Sequence, residues 1–400
     1  VTDGVRHTEF DAPREVDRIQ QRALVVGLIG GAGCLLGAAL SPHQFFRSYL
    51  IGYLFWAGIT LGCLAIVMLQ HLSGGGWGLV IRRLLESGTR TLPLIVVLFL
   101  PLVFGLDELY SWARGAEAAT TEPLREALKH KQPYLNFWFF IARAAFYFAL
   151  WGALTYFVNK WSTQQDTTDD PKPRRRLEAI SGPGLILFGF SATFASIDWV
   201  MSLDPEWFST IFGIMFMGGQ ALSAMAFVIA VVVVLGVREP MSRIVSPGHL
   251  HDLGKLLLAF VMLWAYFSFS QFLIIWSGNL PEEIPWYIRR LHGGWQLIGL
   301  ALILFHFALP FMLLLSRDLK RSARTLAVVA TAVIVMRFAD LFWLIAPEFN
   351  KEAFSFHWLD IAAPAGVGGV WLWFFVHQLK QRPLMPIHDP GVQAVLEGEH

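Results

Sequence analysis

The chain has 400 residues, 55% hydrophobic and 15% charged, with a mean hydropathy of +0.52 and a formal net charge of +1. Soluble domains carry about 25% charged residues, so this balance excludes an ordinary water-soluble globular protein and points to a membrane protein. The near-neutral charge leaves no electrostatic footprint for nucleic acid, and no nucleic-acid motif occurs.

A helix needs about 20 apolar residues to cross the hydrocarbon core. Ten stretches predict one: 23–40, 47–70, 91–109, 135–158, 183–203, 208–236, 256–277, 292–315, 325–346 and 357–378. The fold class expected is therefore all-α integral membrane, with about ten spans. The polar segment 1–22 precedes the first of them. "GAGC" (31–34) has a faint look of a lipoprotein cleavage box. However, Gly31 is poor at its first position and the preceding residues carry both charge signs, so 23–40 reads as a retained helix. Small residues four apart (Gly27/Gly31, Gly33/Gly37, Gly58/Gly62, Ala362/Gly366, Ala365/Gly369) let helix backbones approach closely. Cys34 and Cys63 fall in separate apolar helices, where they read as packed small hydrophobes and cannot build an iron–sulfur or cysteine-rich zinc site.

Farther along, "SGGGWGLVIRRLLES" (73–87) lacks the Lys-Ser/Thr of a phosphate loop. It reads as a turn into a surface helix with Trp77, Val80, Ile81, Leu84 and Leu85 against the bilayer. The loop 107–134 contains "TEPLREALKH", expected as a short interfacial helix and a docking surface. The loop 159–182 is polar and contains Pro, so a flexible connection is expected there.

Short turns with a Pro and aromatics precede the second, sixth and tenth spans: "SPHQFF" (41–46), "LDPEWF" (203–208) and "APEF" (346–349). Four helices lie in each interval, so the repeat keeps its orientation in the membrane. The organisation read from this is two repeated four-helix bundles, helices 2–5 (47–203) and 6–9 (208–346), within a membrane domain 23–378. Helices 1 and 10 flank them, and 379–400 forms a tail.

The repeat carries buried charge. "SIDWVMSLDPEW" (196–207) and "FADLFWLIAPEF" (338–349) each place an Asp seven residues before a Pro-Glu-aromatic run. An ionisable group inside a membrane helix costs about 2.5–3.5 kcal/mol, which makes a pairing or a function the default expectation. At about 1.5 Å per residue, Asp198 and Asp340 lie roughly 9 Å in from the outer turns, and Arg143 and Arg337 a little deeper. The natural pairs are Arg143 with Asp198 and Arg337 with Asp340. These pairs read either as ties between helices or as proton-path or quinol-site groups. Ser191 and Ser202 lie on the face of Asp198. His306 near mid-membrane is either a proton carrier or a satisfied core histidine, and His292 lies at the outer end. Haem is disfavoured, because His292 and His306 share a helix face but His357 and His377 do not. No Cys-x-x-Cys-His occurs for covalent attachment.

Lys and Arg set orientation. Twenty-one lie in segments on the side of the N-terminus and eight on the other, with Arg143 and Arg337 inside helices. Both termini are expected in the cytoplasm if the membrane is a bacterial inner membrane.

"RSYLIGYLFWAGITLGCLAIVMLQHLSGGGWGLVIRRLLE" (47–86), "PYLNFWFFIARAAFYFALW" (133–151) and "SIDWVMSLDPEWFSTIFG" (196–213) resemble the F-subunit family of bacterial alternative complex III. That complex is a quinol:cytochrome c (electron acceptor) oxidoreductase, and the subunit belongs to the polysulfide-reductase membrane-subunit (NrfD-like) family. The resemblance implies two four-helix bundles with two flanking helices. It implies a paralogous NrfD-like membrane subunit, an iron–sulfur subunit and c-type cytochrome subunits as partners, with a terminal oxidase as a further candidate. It also implies menaquinol or ubiquinol as substrate, with haem c and iron–sulfur clusters in the partners and no metal in this chain. Asp198 is carried over as a membrane-embedded acid of the family. Two alternatives stand beside it: a secondary transporter with parallel repeats, and a purely structural anchor subunit.

Overall fold

A computed structural model describes residues 10–168 and 170–386 of the chain. Residues 1–9 of the N-terminal segment, with Arg6, and residues 387–400 of the tail lie outside the described residues. Among the described residues all regular structure is helical. Ten helices among the described residues are long and apolar enough to cross a membrane: α1 (Glu15–Leu40), α2 (Pro42–Ser73), α3 (Arg82–Phe104), α4 (Phe137–Gln165), α5 (Lys172–Leu203), α6 (Phe212–Gly236), α7 (Pro247–Gly278), α8 (Trp295–Leu315), α9 (Ala323–Phe349) and α10 (Leu359–Leu379). The outward faces carry large apolar side chains such as Leu35, Phe104, Trp138 and Tyr266, a surface that hydrocarbon tolerates and water does not. The chain is an all-α multi-pass membrane protein.

Local chemistry sets the helix ends. Pro42 opens α2 in its first turn, where no amide hydrogen is needed, and Gly74 at φ 63° ends it. Ser246 and His249 form a reciprocal capping box at the start of α7, and Asn279 in the left-handed region closes it.

The packing repeats. Helix α2 lies against α3 and α5, and α4 lies against both α3 and α5, which closes a ring of four. Helices α6, α7, α8 and α9 close the same way, α6 against α7 and α9, and α8 against both. The first helix of each ring, α2 and α6, meet at the centre of the molecule, and a β-carbon on Gly62 would fall on the Gln220 carbonyl. Helices α1 and α10, at opposite ends of the chain, pack on each other along their length. A β-carbon on Gly27 would lie 2.8 Å from the Val370 nitrogen, and one on Gly366 would lie 2.8 Å from the Gly30 carbonyl carbon. This is backbone-to-backbone contact that only glycine permits. Gly31, by contrast, faces open space.

Three expectations are corrected. Residues 73–87 do not form a helix on the bilayer surface. Residues 82–89 are helical and buried throughout, with Val80, Ile81, Leu84 and Leu85 packed inside the protein. They form the first part of α3, which bends at Arg90–Thr91, where Thr91 and Thr60 share a hydrogen bond of 2.7 Å. The apolar side chains face protein because Arg82, Arg83 and Glu86 satisfy one another in the interior, as described below. The connection 159–182 is mostly helix, with α4 running to Gln165 and α5 starting at Lys172. Finally, "APEF" is not a turn: α9 continues to Phe349 with Pro347 inside its last stretch, and residues 350–358 make the connection to α10.

Candidate functional site

Asn136 caps helix α4, its side chain accepting from the Phe139 amide, so Arg143 lies about two turns inside the helix. Asp198 lies at the end of α5, completely buried. The two meet in a fork: Arg143 Nε reaches Asp198 Oδ2 at 2.8 Å and Nη2 reaches Oδ1 at 3.0 Å. Tyr147, one turn along the Arg143 face of α4, donates its hydroxyl to Asp198 Oδ2 at 2.8 Å. The remaining Arg143 nitrogen donates to the Tyr134 carbonyl at 2.8 Å, and the guanidinium lies 3.8 Å from the Tyr134 ring centre. Both charges are therefore neutralised and hydrogen-bonded, the condition for a buried pair to persist. Aromatic rings enclose them, with Trp199 touching Tyr53, Phe99, Tyr147, Phe148 and Trp151.

The serines beside Asp198 serve the scaffold. Ser191 accepts the Trp151 indole N–H at 2.9 Å, and Ser202 accepts that of Trp112 at 3.2 Å while donating to the Asp198 backbone carbonyl at 2.6 Å. His292 is exposed before α8 and bonds to neither member of the pair.

In the second ring Arg337 and Asp340 pair along one face of α9, and Trp264 of α7 donates to Asp340 Oδ2 at 3.0 Å. Gly219 of α6 makes room for the Arg337 guanidinium, which a β-carbon there would strike. The far side of Trp264 meets His306 edge-on, with ring centres 4.2 Å apart. His306 is fully buried and lies on a stretch of α8, Leu302–Ala308, wound as a π-helix. Neither of its ring nitrogens has a hydrogen-bond partner among the described residues. A π-helical turn inserts an extra residue into a helix and re-aims the side chains around it.

Two charged clusters escaped the sequence reading. Where α5 and α9 end, Arg289 pairs with both Asp204 and Glu348, the latter at 2.9 Å. Its neighbour Arg290 reaches the other Glu348 oxygen at 2.8 Å and the Trp286, Trp343 and Leu344 carbonyls. Burial lowers the Arg290 guanidinium to about 10, against the pull of Glu348, so it remains charged at neutrality. The signal was present, since Asp204 and Glu348 belong to the repeated motif, but nothing in the spacing named their partner. At the other end Arg82, Arg83, Glu86, Ser162, Gln165 and Asp166 form a buried polar group. A further buried carboxylate, Asp360 in the first turn of α10, accepts from Ser48 at 2.5 Å and from the His357 amide at 2.8 Å.

Cys34 and Cys63 are buried and unbridged. Among the described residues no three His, Cys, Asp or Glu side chains come together as a metal-binding group. Neither a scan against protein-family models nor a search of curated proteins finds a match for this chain.

Proposed function

We propose that this chain is a membrane subunit, not itself redox-active, of a quinol-oxidising respiratory complex of the alternative complex III kind. It would lie in a bacterial inner membrane with both termini in the cytoplasm. Its partners would be a paralogous NrfD-like membrane subunit, an iron–sulfur subunit and c-type cytochromes. Quinol is the substrate of the assembly, and the electron carriers belong to the partners. The observation that supports this reading is Asp198, a buried carboxylate seated at the head of "SLDPEWFSTIFG" and held by Arg143 and Tyr147. The stretch 196–213 that carries the resemblance thus also holds a buried carboxylate fixed by three side-chain hydrogen bonds.

The two rings suit different tasks. A proton carrier must change its bonding partners. Asp198 has three side-chain donors fixed on its two oxygens, which suits a structural tie. In the second ring, His306 is separated from Asp340 by one indole and keeps both nitrogens open, which suits a group that gains and loses a proton.

The reading is tested by affinity purification from gently solubilised membranes, with a reduced-minus-oxidised spectrum and identification of the co-purifying chains. Haem c absorbance with an iron–sulfur partner is the expected result. A colourless protein that purifies alone, under conditions that keep other respiratory complexes intact, overturns it. One observation favours a secondary transporter as the second reading: α8 departs from α-helical winding over Leu302–Ala308, and irregular helix within the membrane is a mark of transport sites. Substrate uptake by the lone protein in liposomes would then decide.

A further inference from the structure

The end of the fold at the C-terminus of α10 gathers more positive charge than its carboxylates balance. Arg82, Arg83 and Arg382 converge there on Glu86 and Asp166, and Arg90 lies within reach of their charges. Arg82 Nε and Arg83 Nη1 hold the two Glu86 oxygens at 3.1 and 2.6 Å, Arg83 also takes Asp166, and Ser162 donates to Glu86 at 2.5 Å. Both carboxylates are thereby engaged, and the Arg83 Nε still lacks a partner in the interior.

The two outer guanidiniums are left with poor acceptors. Arg90 reaches the Gln381 side chain and, at 3.4 Å, the Gln378 carbonyl, and among the described residues it has no carboxylate partner. Arg382 reaches Asn159 at 3.5 Å and Glu86 at 3.6 Å. Burial, with the charge of Arg83 behind it, lowers the Arg382 guanidinium from its ordinary value against the pull of Glu86. Arg90 and Arg382 repel each other, yet the chain holds both at the rim, half-buried. Like charges kept together in a partly dry setting need a counter-anion.

We propose that Arg90 and Arg382 bind the phosphate group of an anionic phospholipid. Two guanidinium forks match phosphate oxygens, and each can replace a neutral acceptor with a charge-assisted bond. Depth favours a lipid over a free anion. Arg382 follows the last residue of α10, Leu379, by three positions, where a spanning helix leaves hydrocarbon and meets the headgroup layer. Basic recesses between membrane helices at this level are suited to acidic headgroups. The proposal does not depend on the quinol reading.

The test uses the full chain in a neutral detergent. Thermal unfolding is followed after adding phosphatidylglycerol, phosphatidylcholine or sodium phosphate, and retained lipid is counted by native mass spectrometry. Phosphatidylglycerol should raise the melting temperature more than phosphatidylcholine and remain bound. Retention should fall about tenfold in R90Q/R382Q, the factor that corresponds to about 1.4 kcal/mol. It should be partly kept in R90K/R382K, which controls for folding. An equal response of the wild-type protein to the two lipids overturns the proposal, as does unchanged retention in a folded R90Q/R382Q protein. Stabilisation by sodium phosphate as large as by phosphatidylglycerol overturns the lipid assignment in favour of a free anion.

Discussion

Trp207 lies flat on Trp286, with ring centres 4.8 Å apart and planes within 14° of parallel. The first belongs to the turn that ends the first ring, and the second to the short helix Pro285–Arg290 between α7 and α8 of the second ring. Beside this stack, Arg289 bridges Asp204, just after α5, and Glu348, in the last turn of α9. The two copies of the repeated stretch therefore meet at an arginine pair that joins the rings where α5 and α9 end.

That joint gives the first prediction. Glu348→Ala leaves Arg290 charged, buried and without a carboxylate, a change that typically costs about 3–5 kcal/mol. The detergent-solubilised variant should show a clearly lower melting temperature. Glu206→Ala, at an exposed neighbouring position, should stay within about 0.5 kcal/mol of the parent. Equal losses in the two would show that the joint carries no special weight.

Asp198→Asn should also destabilise by about 3–5 kcal/mol, because Arg143 then keeps its charge in the aromatic core without a counter-charge. Replacing both partners in R143M/D198L removes the two charges together and should recover most of that loss. The readout is a double-mutant comparison of melting curves. A double variant as unstable as the single one would mean that the pair does more than neutralise itself.

His306→Leu should leave stability unchanged or raise it by about 1 kcal/mol. The wild-type ring buries two nitrogens with no partner among the described residues, and leucine removes that cost. If the second ring carries a proton, the same variant should lower turnover of the intact complex while its melting curve holds. A marked loss of stability would reveal a bonding partner for the ring.

Glycine positions separate contact from composition. Gly366→Ala pushes a β-carbon into the backbone of α1 and should cost about 1–3 kcal/mol, read as a melting shift and loss of a single size-exclusion peak. Gly31→Ala meets nothing within 4 Å and should be neutral. Equal behaviour of the two variants would contradict the α1–α10 packing.

Much of this molecule was legible in one dimension. Ten apolar runs, each long enough to cross a bilayer, follow from composition and length alone, because lipid leaves an isolated segment few choices besides a helix. The buried acids Asp198 and Asp340 were equally visible, since a charge inside an apolar run stands out by itself. The tertiary structure decided what surrounds those charges. Tyr147 and Trp264 are ordinary aromatics in the sequence and become donors to Asp198 and Asp340 only when helices meet. "GLVIRRLLES" has the pattern of an interfacial helix, and its apolar stripe reads the same whether lipid or protein covers it. What moves it inside is Glu86, Ser162 and Asp166 satisfying its two arginines, with Ser162 and Asp166 arriving from a helix far along the chain. Spacing along a chain reports what each segment must avoid, and partners for buried charge are chosen only when the segments pack.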